Sequence, residues 1–370
     1  MRLSRKLTLG LGTIVALVIL NQIFEHGVGD FFVNPYYARI ISLIGINITL
    51  AVSLNLINGL AGQFSIGHAG FMAVGGYTAT YVTVYHGQTI ASLGGSTIAD
   101  AVGASIAMVV SLSAGAAAAA VAGLAVGVPS LRLKGDYLAI VTLGFGEIIR
   151  VIILNIPAVG VATGFTDAIP ITNFFWIYAM AVLTIVIVRN IAASTFGRAL
   201  ATIRGDEIAA EAMGINTTRY KVLAFVISAA LAGVAGGLSG QLFANPLSPQ
   251  NLNFVKSIEI VVMIVLGGIG STTGAVVGAT ILTILPEALR TFDQQFPGLR
   301  MVIYALLLVL LMIFRPQGLL GRREIGWGWI RRPTRTRVPV ALADATDATA
   351  HTGKRPIDRR STLGESDTNE

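Results

Sequence analysis

A chain of 370 residues that is 54% hydrophobic and 12% charged, with a mean hydropathy of +0.74, carries more apolar surface than a water-soluble fold needs, so it is read as an integral membrane protein. Residues 260–266 and 304–314 are continuously apolar rather than alternating, which excludes a β-barrel and leaves an all-α, polytopic transmembrane helical bundle. The net charge of +7 collects beside apolar runs and so argues against nucleic acid as a partner, while the absence of cysteine excludes disulfides and thiol-based metal or redox chemistry.

Apolar runs suited to a span fall at residues 7–24, 38–58, 64–85, 101–128, 137–157, 173–192, 221–243, 256–285 and 299–314. The first resembles a secretory signal, but EHGVGDFF follows it instead of a small-residue cleavage site, so it is expected to remain as a span. Arg2, Arg5 and Lys6 put the N terminus in the cytoplasm; Arg132, Lys134 and segment 193–221 then fall inside and the loop 158–172 outside. Arg315, Arg322, Arg323 and the arginines after them ask for a cytoplasmic C terminus as well. That requires an even number of spans, about ten rather than nine. The sequence VLGGIGSTTGAVVG inside 256–285 supplies the break, as two short spans or a re-entrant hairpin. Residues 1–321 then form the membrane domain, and 322–370, basic and then of mixed charge, a disordered cytoplasmic tail.

Two stretches are glycine-broken and hydroxyl-bearing within apolar surroundings, NGLAGQFSIGHAGFMAVGGY at 58–77 and LGGIGSTTGAVVG at 266–278. Unwound backbone at membrane depth is tolerated only where protein or a water-filled cavity satisfies it. Gly62, Gln63, Ser65, Gly67 and His68 in the first stretch, with Gly268 and Gly270 in the second, are therefore candidates for a translocation path; close helix packing is the alternative. Glu147 follows Asp136 by about eleven residues, roughly 16 Å along a helix, and Arg150 is one turn further. Ionisable groups at that depth are functional candidates, unless the two only pair with each other. Lys256 and Glu259 read as interfacial.

Catalytic motifs are missing. Gly353-Lys354 lacks the earlier glycine of a phosphate-binding loop and is followed by Arg355. GGIGSTTG at 267–274 has no strand before it, and His26, His68, His86 and His351 lack metal-ligand spacing. No nucleotide, cofactor or metal is expected on this chain, and an intramembrane enzyme would lack a nucleophile and base.

Segment 193–221, ASTFGRALATIRGDEIAAEAMGINTTRYK, places Arg198, Arg204, Arg219 and Lys221 with Asp206, Glu207 and Glu211 between two apolar runs. Helical spacing predicts an amphipathic helix from about Arg198 to Met213, with Ile203, Ala210 and Met213 near one face. Gly214 suits a left-handed cap before re-entry after Asn216. Such a helix can lie in a groove on a cytosolic partner; a lipid-interface helix is the alternative.

That segment and the helix after it, together with SLNLINGLAGQFSIGHAGFMAVGGYTA, LRLKGDYLAIVTLGFGEIIR and FRPQGLLG, resemble the M-type (LivM-type) permease subunits of branched-chain amino-acid ABC importers over roughly residues 40–321. The family's EAAxxxG coupling motif is matched at Ala209, Ala210 and Gly214, but Ile208 precedes Ala209 and the nearest acid is Glu207. Thr163-Gly164-Phe165 departs from the family too, which commonly has a second glycine there. The resemblance implies that Arg198, Arg204, Glu207, Ala209, Ala210, Glu211 and Gly214 couple the chain to an ATPase. It also implies a bacterial inner-membrane protein that works with an H-type permease, two ATPases holding ATP and Mg, and an extracytoplasmic solute-binding protein. A permease of the same type for urea or short amides, or an ion-gradient transporter using Glu147, Arg150 and His68, are the competing readings.

Overall fold

The computed structural model describes residues 35–93, 95–98, 100–133, 135–159, 164–165, 169–242 and 247–290, with isolated positions elsewhere between 18 and 324. Apart from those positions, the expected spans 7–24 and 299–314, both termini and the tail lie outside the described residues.

The helices are α1 (Pro35–Asn55), α2 (His68–Leu93), α3 (Ala101–Ser130), α4 (Asp136–Leu154), α5 (Phe174–Ala193), α6 (Thr195–Gly205), α7 (Glu207–Ala212), α8 (Thr217–Gly240), α9 (Phe254–Gly267) and α10 (Thr272–Ala288). Among the described residues, five are long and apolar enough to cross a membrane: α1 with its continuation to Ala61, α3, α4, α5 and α8. The chain is therefore an all-α, multi-pass bundle. Expected and observed bounds agree within a few residues except at 64–85, where the helix begins only at His68 and continues to Leu93.

Glycine and alanine bring the centre together, because small residues let backbones approach where lipid supplies no hydrophobic drive. A Cβ at Gly75 of α2 would lie 2.1 Å from Gly233 Cα of α8, and one at Gly115 of α3 would lie 2.6 Å from the Gly75 carbonyl oxygen. A Cβ at Gly236 would lie equally close to Met72 O, at 2.0 Å. Phe71 and Phe225 meet edge to face at 5.4 Å beside this contact. At one end of the bundle the loops are tied: Phe165 and Leu247 form an isolated antiparallel bridge, and the Tyr77 hydroxyl donates to Leu247 O.

Both glycine-rich stretches are breaks. After α1 a π-helical turn, Leu56–Ala61, ends at Gly62 with φ +68. The non-helical backbone beyond it is held by Asn58, whose Oδ1 accepts from Ser65 N–H at 3.1 Å and whose Nδ2 donates to Ser65 O at 3.3 Å. In the second break α9 and α10, of 14 and 17 residues, fold back on each other. Gly267 abuts Gly274 O and Gly278 abuts Met263 O, an antiparallel register with backbone against backbone. The run 256–285, expected to break into two short spans or a re-entrant hairpin, is a hairpin of two short helices, each about 21 to 26 Å long. Its tip meets the end of α1, where Gly270 N–H donates to Asn55 Oδ1 at 2.8 Å. Its far end meets the start of α1, where Tyr36 donates to the Glu287 carboxylate at 2.6 Å.

Candidate functional site

The charged segment is two helices, not the single one expected over 198–213. Gly205 ends α6 and Asp206 caps α7, its Oδ1 accepting Ile208 N–H at 2.9 Å and Ala209 N–H at 3.1 Å. Glycine is a poor helix former and aspartate a good N-cap, so the chain breaks there. At the far end of α7, Gly214 takes φ +81. Its N–H donates to Glu211 O at 2.9 Å and Ile215 N–H donates to Ala210 O at 3.0 Å, the paired bonds of a Schellman turn. The left-handed cap read from the sequence is present.

Partners within the chain occupy most of the charges. Glu207 takes the Lys221 ammonium at 2.6 Å, and that lysine is only 3% exposed. Glu211 accepts from the Thr217 hydroxyl at 2.7 Å. Both acids thus fasten α7 to the foot of α8. Leu200, Ile203 and Ala210 are buried, but Met213 stands 80% exposed beside Ile208 at 75%, so the apolar face is split. Arg198 and Ala209 are also exposed, and these residues form the outward surface of the segment.

Arg204 turns inward. Its Nη1 donates to Gly59 O in the π-helical turn, its stem lies over Gly62, and the same nitrogen lies 2.9 Å from where a Cβ at Gly270 would stand. One side chain from the charged segment therefore touches both breaks. The FRPQGLLG motif joins them from the other direction: Leu319 N–H donates to Leu266 O at 2.7 Å and Leu320 N–H to Gly267 O at 3.2 Å. A Cβ at Gly268, which has φ +118, would meet Gly321 O at 2.4 Å, and Glu324 caps α10 by accepting from Thr272 N–H at 2.6 Å. Asn55, Gly59 and this motif are site residues that sequence reasoning missed; the repeated glycines at 318 and 321, both of positive φ, were the available signal.

Of the residues expected along a path, Gly62, Gly268 and Gly270 converge here in packed contact. Gln63 stays local, its N–H donating to Ile57 O. Gly67 presses on Thr142 O, and His68 is buried behind the first break with Nε2 2.8 Å from Ser53 Oγ. Ser53 Oγ also lies 2.8 Å from Leu50 O, and His68 Nδ1 and Ser65 Oγ have no partner among the described residues. Glu147 and Arg150 lie elsewhere. They pair at 2.6 Å, and Glu147 Oε1 also accepts Phe254 N–H at 2.8 Å, capping α9.

An apolar bundle with two backbone breaks held at one point, and a charged segment locked onto them from between two spans, is the build of a multi-pass membrane transport protein. The family described as branched-chain amino acid transport system, permease component, matches residues 36–312, and the chain belongs to it. It is similar to the high-affinity branched-chain amino acid transport system permease protein LivM of Salmonella typhimurium, with 34% identity covering 78% of this chain and 71% of the relative. LivM of Escherichia coli K12 is 33% identical, covering 83% and 74%. LivH of the same strain is 41% identical over 132 residues, 36% of this chain and 42% of that one. No solved structure matches. The protein is accordingly a LivM-type transport permease.

Proposed function

We propose that the chain is one of two permease subunits of an ATP-driven importer for branched-chain amino acids. A second, H-type permease lies beside it in a bacterial inner membrane, two ATPases carry ATP and Mg, and a solute-binding protein outside delivers the substrate. The observation that carries this reading is the continuity from an exposed apolar tip, Ile208 and Met213, through α6 to Arg204 and both breaks. An ATPase seated on that tip has a short mechanical route into the bundle. The FRPQGLLG motif reaches the hairpin tip from the same end, in keeping with charged segment and C terminus on the cytoplasmic side.

Proteoliposomes holding both permeases and the ATPases, supplied with binding protein, are expected to take up leucine when loaded with ATP and to be indifferent to a protonophore. Uptake driven by an ion gradient without ATPases would overturn the proposal, and transport of urea or amides in place of leucine would overturn the substrate. A sharper check uses Gly214. A β-branched residue at φ +81 costs about 1–3 kcal/mol locally. Gly214→Val should therefore loosen the turn under α7 and lower uptake severalfold, with weaker ATPase retention on purification. Normal uptake and normal retention would count against α7 as the coupling element.

A further inference from the structure

Four ionisable side chains stand at mid-bundle levels, Glu147 and Arg150 on α4 and Lys256 and Glu259 on α9, where Lys256 Nζ also donates to Asn47 Oδ1 in the interior of α1 at 3.3 Å. Glu147 is about eleven residues into the 19-residue α4, and it caps α9, so the start of α9 sits level with the interior of a span and not at its end. Lys256 and Glu259, which the sequence placed at an interface, are therefore deep. Ser257 Oγ accepts Ala69 N–H at 3.0 Å, while the neighbouring Gly67 touches Thr142 O. As α9 advances from Phe254 to Ser257, its level on α4 retreats from Glu147 toward Thr142, and the two helices run antiparallel.

The two ion pairs, Glu147–Arg150 and Lys256–Glu259 at 3.0 Å, keep 28%, 25%, 20% and 34% of their side-chain surface open. Charges so placed are costly against hydrocarbon and are found facing bundle interiors or water-filled cavities. The contrast within the chain is direct: α3 has no ionisable residue and an exposed stripe that includes Val121, Leu124 and Val128. Each pair also has capacity to spare. Arg150 uses only Nε, and among the described residues nothing takes its terminal nitrogens; Glu259 uses Oε2 and keeps Oε1. Gly144, on the same side of α4, has open space where a Cβ would be.

We infer that the surfaces of α4 and α9 that carry these two pairs line the water-filled route of a zwitterionic amino acid, with Arg150 receiving the carboxylate and Glu259 the ammonium group at successive levels. The two lie about 12 Å apart along the helices, three residues one way and five the other, too far for one small zwitterion to span. The arrangement passes a substrate from one charge to the next and does not hold it. This rests on the amino-acid reading above, and the test separates the two.

The chain has no cysteine, so the parent complex gives the background of its partners and each single replacement is read above it. In the assembled transporter, Ile148→Cys and Ile258→Cys should react with a membrane-impermeant cationic thiol reagent at least about tenfold faster than Val121→Cys, because hydrocarbon excludes an ion. Val255→Cys supplies a second position on α9 should Ile258→Cys assemble poorly. Excess leucine with binding protein should slow the reaction severalfold. Rates no greater than at Val121 would overturn the path, and so would crosslinking of Ile258→Cys to the second permease without labelling. Labelling that leucine leaves unchanged would keep the path and overturn its assignment to this substrate.

Discussion

Arg204→Ala should lower ATP-driven uptake at least about tenfold while the ATPases stay bound and continue to hydrolyse ATP. The guanidinium donates to Gly59 O and abuts Gly270, so one side chain joins α6 to the turn after α1 and to the tip of the α9–α10 hairpin. A hydrogen bond from a charged donor is worth about 1.5–3 kcal/mol. The lower figure suits this half-open site and corresponds to roughly tenfold. Without the link, α6 and α7 move with an ATPase but the breaks no longer follow. Arg204→Lys keeps the charge and loses the planar fork, so it should recover part of the uptake. Ile208 on α7 and Met213 just after it, both exposed, remain to bind the partner, which is why hydrolysis and association should survive. Parallel loss of uptake, hydrolysis and ATPase retention would instead make Arg204 a docking residue, and unchanged uptake would remove it from coupling.

Local chemistry made much of this legible. The two breaks, the hairpin within 256–285 and the cap at Gly214 each follow from glycine and hydroxyl residues in a short window, and each is present. Partners distant in sequence were not readable. Glu207 and Glu211 stand at helical spacing with Arg204, yet they bond Lys221 and Thr217 across the turn, because α7 is a separate helix that folds back onto α8. Helix-forming neighbours hid the break, although Gly205-Asp206 spelled it out. The two stretches expected to line a path do meet, through the Gly270–Asn55 bond and through Arg204, which donates to Gly59 and lies beside Gly270. Glu147 was singled out for its depth; its bond to Phe254 joins residues 107 apart and could not be inferred from periodicity. That one bond sets the start of α9, where Lys256 and Glu259 lie, level with the interior of α4.

Gly75→Val should give a large loss of stability in the bundle centre. The added Cβ would lie 2.1 Å from Gly233 Cα and 2.5 Å from its carbonyl oxygen. Those atoms are backbone, so no rotamer change relieves the clash, and α2 and α8 must separate. Overpacking in a core costs about 1–3 kcal/mol where side chains can yield. Here the cost should exceed that range, since Gly115 of α3 also closes on Gly75 O and the parting of two helices disturbs the third. The control is Gly144→Ala, in the interior of α4 with open space around it. Alanine there should stabilise by roughly 0.5–1 kcal/mol through its better helix propensity. Melting in detergent, followed by the monodisperse fraction on size exclusion, should place Gly75→Val well below the parent chain and Gly144→Ala at or above it. Equal melting of Gly75→Val and the parent would mean that the glycine contact of α2, α3 and α8 does not hold the bundle together.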